Sequence, residues 1–166
     1  MTKGRLQVHI RWMIRRDKDE VLAIENASFG WQGWSEEEFL RRLRLRNCIA
    51  MICERGEKVI GFMVYELEKH ALRVTDMAVD PVFRRRGIGI QIIQKLKNKL
   101  SSHRRQRILL TLRESNLDAQ LFLRSQGFQA VKIDRESFGD DGEDGIVFAY
   151  RYPGAVAVEE ADAQSS

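Results

Sequence analysis

The 166-residue chain is short of several residue types, and each shortage removes a class of function. Only two cysteines occur, Cys48 and Cys53, five positions apart in one apolar stretch. Neither has a second cysteine or a histidine at metal-ligand spacing, so they read as buried thiols of a reducing compartment rather than as a disulfide or a catalytic pair. The three histidines, His9, His70 and His103, are scattered. A zinc site built on them is excluded, and no metal is expected. No apolar run approaches the ~20 residues needed to span a bilayer, and the basic N-terminus lacks the apolar core of a signal peptide. No membrane association is expected, and the cytoplasm is the expected location.

What is present fits one soluble globular domain: 43% hydrophobic and 31% charged residues in a chain long enough to bury a core. There is no internal repeat. The expected division is a single domain over 1–152 and an acidic, disordered tail over 153–166. That tail holds Glu159, Glu160 and Asp162 and no lysine or arginine, so the net charge of +4 becomes +7 without it. A basic body attracts nucleic acid, ribosomes or acidic peptides, or its cations simply line solvated helix faces. Nucleic-acid binding has only the charge behind it and ranks last.

The chain is organised around Leu72 to Leu100. A half-apolar strand (Leu72, Val74, Met77, Ala78, Val79) breaks at Asp80-Pro81 and enters the turn Arg84-Arg85-Arg86-Gly87-Ile88-Gly89. An amphipathic helix follows, with Ile92, Ile93, Leu96 and Leu100 at three- and four-residue intervals. The first turn of a helix offers unpartnered N–H groups and the positive end of the macrodipole, so it holds an anion with backbone alone. Gly87 and Gly89 let a phosphate approach the main chain, and the three arginines add formal charge. The alternative is a tight connection with a solvated arginine cluster. The dinucleotide fingerprint is excluded by the missing third glycine, and the P-loop by the missing Gly-Lys-Ser/Thr.

Arg84-x-x-Gly87-x-Gly89 preceded by Met77-Ala78-Val79-Asp80-Pro81 resembles the acetyl-CoA signature of the GNAT superfamily of N-acetyltransferases. Leu112-Arg113-Glu114-Ser115-Asn116, with Ala119 and Gly127-Phe128, is similar to its second block. Val21 to Phe29 followed by Trp34-Ser35-Glu36-Glu37-Glu38-Phe39 resembles one branch, the ribosomal protein alanine N-acetyltransferases. The resemblance spans about Ile10 to Tyr150. It implies an α/β (α+β) fold: a mixed, mostly antiparallel central sheet with a splayed strand pair and helices on both faces. It also implies acetyl-CoA as co-substrate and a protein or peptide acceptor, ribosomal in that branch.

Read in order, Val8 to Met13 is a first strand and Asp17 to Ser28 a helix capped by Asp17, with Val21, Leu22 and Ile24 or Ala27 buried. The loop Phe29-Gly30-Trp31-Gln32-Gly33-Trp34 is either an aromatic contact surface or a pair of staples for the flanking helices. In the resembled family it helps form the acceptor groove. Ser35 opens the next helix, to about Leu45, as a capping box. Ile49 to Glu54 and Lys58 to Leu67 form a hairpin around Arg55-Gly56-Glu57. Ile108 to Arg113 is a buried strand, Asn116 to Ser125 a helix ended by Gly127, and Phe128 to Ile133 and Ile146 to Tyr152 are two more strands. The acidic segment between the last two lacks calcium-loop spacing.

The resemblance places the thioester between the central strand and the strand from Ile108, with backbone N–H groups at Met77, Ala78 and Val79 facing it. The pyrophosphate would lie on Arg84, Arg85, Arg86, Gly87, Ile88 and Gly89, and Asn116 near the pantetheine arm. The reaction implied is attack of an amine on the acetyl thioester, which needs positioning, proton removal and oxyanion stabilisation. The alanine acetyltransferase pattern has a glutamate base and a tyrosine acid where this chain has Thr111 and Leu123. Asp76 is the first candidate for a substitute base, with Glu114 and Tyr65 behind it, and Thr111 is able to hold a water. Each also has a structural reading: Asp76 bonded to a neighbouring loop, Glu114 solvated, Tyr65 in the core. The acceptor is alternatively a lysine or a small amine, or the fold binds acyl-CoA as a sensor or interaction module with little turnover.

Overall fold

The structure, a computed structural model, describes residues 4–139 and 142–154. Seven strands form one sheet: β1 (His9–Trp12), β2 (Cys48–Arg55), β3 (Lys58–Leu67), β4 (Ala71–Val79), β5 (Arg107–Arg113), β6 (Gln129–Phe138) and β7 (Glu143–Arg151). Their spatial order is β1-β2-β3-β4-β5-β7-β6. Every pairing is antiparallel except β4 with β5. The last strand therefore inserts between β5 and β6, which strand-by-strand reading of the sequence does not indicate.

Four helices cover both faces: α1 (Lys18–Phe29), α2 (Glu36–Leu43), α3 (Ile88–Lys97) and α4 (Leu117–Ser125). On one face α3 and α4 pack Ile88, Ile92, Ile93, Leu96 and Leu123 onto Leu72, Val74, Ile108, Leu110 and Phe148. On the other, α1 and α2 bring Val21, Ile24 and Phe39 against Ile52, Phe62, Val64 and Ala78. Burying a side chain such as Leu96 or Phe39 contributes roughly 1.5–3 kcal/mol each, so both helix pairs are fixed by the pattern of apolar spacing.

Several local expectations shift. Asp17 does not cap α1. Its carboxylate ends a 3-10 turn over Arg15–Asp17, accepting from Ile14 N–H at 2.8 Å and from both terminal nitrogens of Arg11 at 2.8 and 2.9 Å. Within α1 Ala27 is exposed and the buried position is Glu25. Ser35 Oγ does accept from Glu38 N–H, but the Glu38 carboxylate turns to Arg41 and Arg42 instead of closing the capping box. Helix α3 stops at Lys97, and on α4 Leu121 faces solvent while Leu123 is buried. Strands β6 and β7 run on into the acidic segment, leaving only 139–142 between them. Asp140, Asp141 and the expected tail from Ala155 lie outside the described residues.

Candidate functional site

The parallel pair at the middle of the sheet is short. Strands β4 and β5 are in register from Ala71 opposite Arg107 to Val74 opposite Leu110 and then separate. Beyond that point β4 stays with β3 as far as Val79, and β5 stays with β7 as far as Arg113. The two strands part there into a wedge, leaving the β4 edge from Thr75 to Val79 without pairing to β5.

At the mouth of this wedge β4 carries a bulge. Val74 lies opposite Tyr65 and Asp76 opposite Val64, so Thr75 has no counterpart and its Oγ1 donates to Val64 O at 3.2 Å. One extra residue inverts the alternation of side chains. Leu72 and Val74 share the α3 face with Met77 and Val79, whereas Asp76 and Ala78 face α1. In an unbroken strand Asp76 would have pointed into the α3 core with Val74.

The turn after β4 is shaped as the glycines require. Asp80 Oδ1 accepts from Val82 N–H at 3.0 Å, and a 3-10 turn over Pro81–Phe83 leads into the arginines. Arg85 has φ +61° and Gly87 φ +78°. The first helical bond of α3 runs from Gln91 N–H to Gly87 O at 3.3 Å, so the N–H groups of Ile88, Gly89 and Ile90 precede it. Arg84 folds back, donating to Val79 O at 3.1 Å and to Ser28 Oγ at 3.0 Å, and Arg86 donates to Gly4 O at 3.1 Å. Among the described residues none of the three arginines has a carboxylate partner. Positive charge therefore gathers at the positive end of α3 with no anion to offset it, which suits an anionic ligand. The N-terminal segment braces this turn: Leu6 N–H donates to Arg86 O at 2.9 Å and Val8 N–H to Gln91 Oε1 at 3.2 Å. Gly89 has a second reason to be glycine, since a Cβ there would stand 3.0 Å from the Phe122 ring of α4.

On the opposite face Asp76 meets Glu25, whose residue is only 2% exposed. Burial and the adjacent Glu25 carboxyl, through close contact and the repulsion of its charge, push the Asp76 carboxyl up to about 9, against the weaker pull of the Met77 N–H and of Arg42. Glu25 Oε1 accepts from Trp34 N–H at 2.8 Å, tying the loop between α1 and α2 to the same spot. The two tryptophans of that loop divide the expected roles. Trp34 packs on Phe39, with centroids 6.1 Å apart, under the Arg42 guanidinium, while Trp31 is 75% exposed.

The other candidates fall elsewhere. Tyr65 lies in the α3-face core with its hydroxyl on Met51 Sδ, and burial raises its pKa, so it is removed as a base. Glu114 is exposed in the turn after β5. Thr111 sits on β5 opposite Val147, half-buried. Asn116 caps α4, its Oδ1 accepting from Ala119 N–H at 3.3 Å. Leu123 is 2% exposed in the core. Cys48 and Cys53 are free thiols, and burial pushes Cys53 up to about 12, where it is unreactive. No cluster of His, Cys, Asp and Glu able to hold a metal occurs among the described residues, and no helix there is long and apolar enough to cross a membrane. Glu25 was the residue missed. The available signal was its position, since residues 21, 24 and 25 form one helical stripe and an acid at such a place requires a partner.

Comparison with known proteins agrees with this geometry. Residues 18–128 match the acetyltransferase (GNAT) family. The chain is 27% identical over 118 residues, 70% of its own length and 79% of the relative's, to the [ribosomal protein bS18]-alanine N-acetyltransferase of Escherichia coli K12. It is 26% identical over 140 residues, 83% of its length and 91% of the relative's, to a Bacillus subtilis (strain 168) protein provisionally given the same activity. The crystal structure of the ribosomal-protein-S18-alanine N-acetyltransferase from Escherichia coli superposes with a TM-score of 0.77 at 23% identity, covering 92% of this chain and 97% of that one. Ard1 from Thermoplasma volcanium superposes with a TM-score of 0.78 at 20% identity, covering 89% of this chain and 99% of that one.

Proposed function

Since the chain belongs to the GNAT family of acetyltransferases, we propose that it moves the acetyl group of acetyl-CoA onto the N-terminal amine of a protein or peptide, with a ribosomal protein alanine as the first acceptor class. The observation that carries the cofactor half is the parting of β4 from β5 after Val74, followed along the chain by a glycine turn whose three arginines have no carboxylate partner among the described residues. Acetyl-CoA supplies an activated acyl thioester and two kinds of handle, a pyrophosphate and a pantetheine arm. The first-turn N–H groups at Ile88, Gly89 and Ile90, with the Arg85 charge, suit the pyrophosphate. The β4 edge at Met77, Ala78 and Val79 suits the arm and the thioester carbonyl, where a fixed N–H donor stabilises developing negative charge. Support for the acceptor class comes from the relatives named for ribosomal protein bS18 and from the Trp31–Trp34 loop beside Asp76.

Residue roles follow the positions available. Asp76 is the base: it lies on β4 at the mouth of the wedge and faces the acceptor-side loop. Asn116, as the cap of α4, orders the end of β5 facing the wedge. A cytoplasmic setting accords with a ribosomal acceptor.

One observation favours a second reading. Thr111 cannot accept a proton near neutral pH and the buried Leu123 cannot give one, so an acyl-CoA-binding module with little turnover has to be tested against the enzyme. Release of CoA thiol from acetyl-CoA is measured with N-terminal peptides, lysine peptides and small amines. Release dependent on alanine-starting peptides is expected. Release with only lysine peptides or small amines would replace the acceptor class, and tight acetyl-CoA binding without release from any acceptor would favour the binding module.

A further inference from the structure

Two acids meet on the α1 face of β4, Glu25 buried and Asp76 partly buried. Glu25 is 2% exposed, and one of its oxygens is engaged by the Trp34 N–H. Its other oxygen, Oε2, and Asp76 Oδ2 are both fully covered and have no hydrogen-bond partner. Two buried carboxylates ionised side by side are strongly disfavoured. A single proton held between the two groups satisfies both bare oxygens and leaves the pair with one negative charge. From the acetyltransferase reading and this geometry, we propose that Glu25 is a positioning residue that shares one proton with Asp76. The resulting carboxyl pair serves as the acid–base group that Thr111 and Leu123 do not provide.

The groups that act on Asp76 come from the elements packed around it. Helix α1 contributes Glu25 itself. Helix α2 contributes Arg42, which is already engaged with Glu38 at 3.2 Å and Glu66 at 3.8 Å. Strand β4 contributes the Met77 N–H, and β3 opposes Asp76 with the apolar Val64. Burial and the second acid outweigh Arg42 and the N–H, so Asp76 is held up to about 9. An α-amino group has an ordinary value near ~8, so proton exchange between amine and pair is nearly balanced, the condition under which general acid–base catalysis is efficient. Starting from the neutral amine and the fully ionised pair, one N–H bond breaks and its proton becomes the proton shared by the two carboxylates, leaving the pair with one negative charge. The nitrogen lone pair forms the new N–C bond, and the C–S bond breaks with its electrons on sulfur. The pair then returns its proton to the thiolate, giving amide and CoA thiol.

The test has two readouts. Infrared spectra of the ligand-free protein in D₂O at pH 6–8 are expected to show the C=O stretch of a protonated carboxyl, lost in Asp76→Asn and in Glu25→Gln. No such band in the unmodified protein would overturn the shared proton, and this measurement needs neither acceptor nor turnover. The pH profile of kcat/KM is then expected to show an acidic limb that Glu25→Gln moves down by at least about one pH unit, because removing the second negative charge eases Asp76 ionisation. Glutamine still offers an oxygen to Trp34 N–H, and the KM for acetyl-CoA should be unchanged. A Glu25→Gln profile superimposing on that of the unmodified protein would overturn the positioning role. A persistent infrared band without turnover on any acceptor would leave the pair in place and overturn the catalytic step, along with the acetyltransferase reading.

Discussion

Asp17 and Asp76 are both aspartates turned into the α1 side of the molecule, and their surroundings are opposite. Asp17 is 2% exposed and lies in the fork of Arg11, which also reaches Glu54 at 3.1 Å, while Ile14 N–H gives a further bond. The Arg11 guanidinium holds the Asp17 carboxyl below its ordinary value despite burial. Asp76 has another acid where Asp17 has an arginine, and its carboxyl is pushed up to about 9. Buried charge with every oxygen paired fastens a turn to a strand. A carboxyl with an oxygen left bare beside a second acid holds its proton to higher pH, an arrangement that costs stability.

The largest expected effect separates the two sites by activity. Asp76→Asn should lower kcat by roughly 10²–10⁴-fold, the contribution usual for a positioned acid–base group. Acetyl-CoA affinity, measured by calorimetry, should stay within error; an unchanged kcat would make Asp76 a second Asp17. On the cofactor face, Gly89→Glu should weaken acetyl-CoA binding at least about 100-fold by placing an acid at the phosphate turn. Because the Cβ also meets Phe122, Gly89→Ala is the packing control. It should retain most of the affinity, and equal losses in both variants would assign Gly89 to helix packing alone.

Stability against pH comes next, with opposite signs. Asp17, with a lowered carboxyl, contributes stability that is present above its unfolded value of about 3.8 and is lost as pH falls through the folded value. Asp17→Asn should cost about 2–4 kcal/mol at neutral pH, since it leaves Arg11 with Glu54 only. The penalty should shrink in acid. Asp76, with a raised carboxyl, behaves in reverse: the folded state keeps a proton that the unfolded chain has released between about 3.8 and 9, so stability falls as pH rises through that window. Asp76→Asn should therefore flatten the decline of Tm between pH 5 and 9. Parallel Tm profiles for the two asparagine variants would erase the distinction.

How much of this was legible in the sequence depends on range. The strand–turn–helix around Arg84 to Gly89 was readable because strand, arginines, glycines and helix are contiguous between Leu72 and Leu100, and local periodicity dictates them. Both faces of the sheet were readable from apolar spacing, as Ile92, Ile93 and Leu96 show. The carboxyl pair was not. Its members are 51 positions apart, and they meet only because Thr75 bulges and turns Asp76 away from the face of Val74. The apolar alternation does slip by one residue between Val74 and Met77, but with Ala78 also apolar the slip does not by itself say which face Asp76 takes. Asp17 was misread for a related reason: an Asp before a helix fits a cap by local rules, but Arg11 across the turn is a stronger partner than a helix N–H. The place of β7 between β5 and β6 is likewise a tertiary outcome that strand propensity does not encode.

The smallest effect tests whether the loop between α1 and α2 tunes the pair or merely lies beside it. Ser35 caps α2 through Glu38 N–H at 3.1 Å, one residue after the Trp34 N–H that engages Glu25. Ser35→Ala removes the cap and should cost about 1 kcal/mol in denaturant unfolding. Phe39 is fully buried and Trp34 packs on it, so the helix and the Trp34 N–H should keep their places and the acidic limb of kcat/KM should not move. A limb shifted by loss of a remote cap would mean that the Asp76 proton responds to the looseness of the loop rather than to Glu25. The contrast with Asp17 would then lie in mobility and not in the identity of the neighbouring charge.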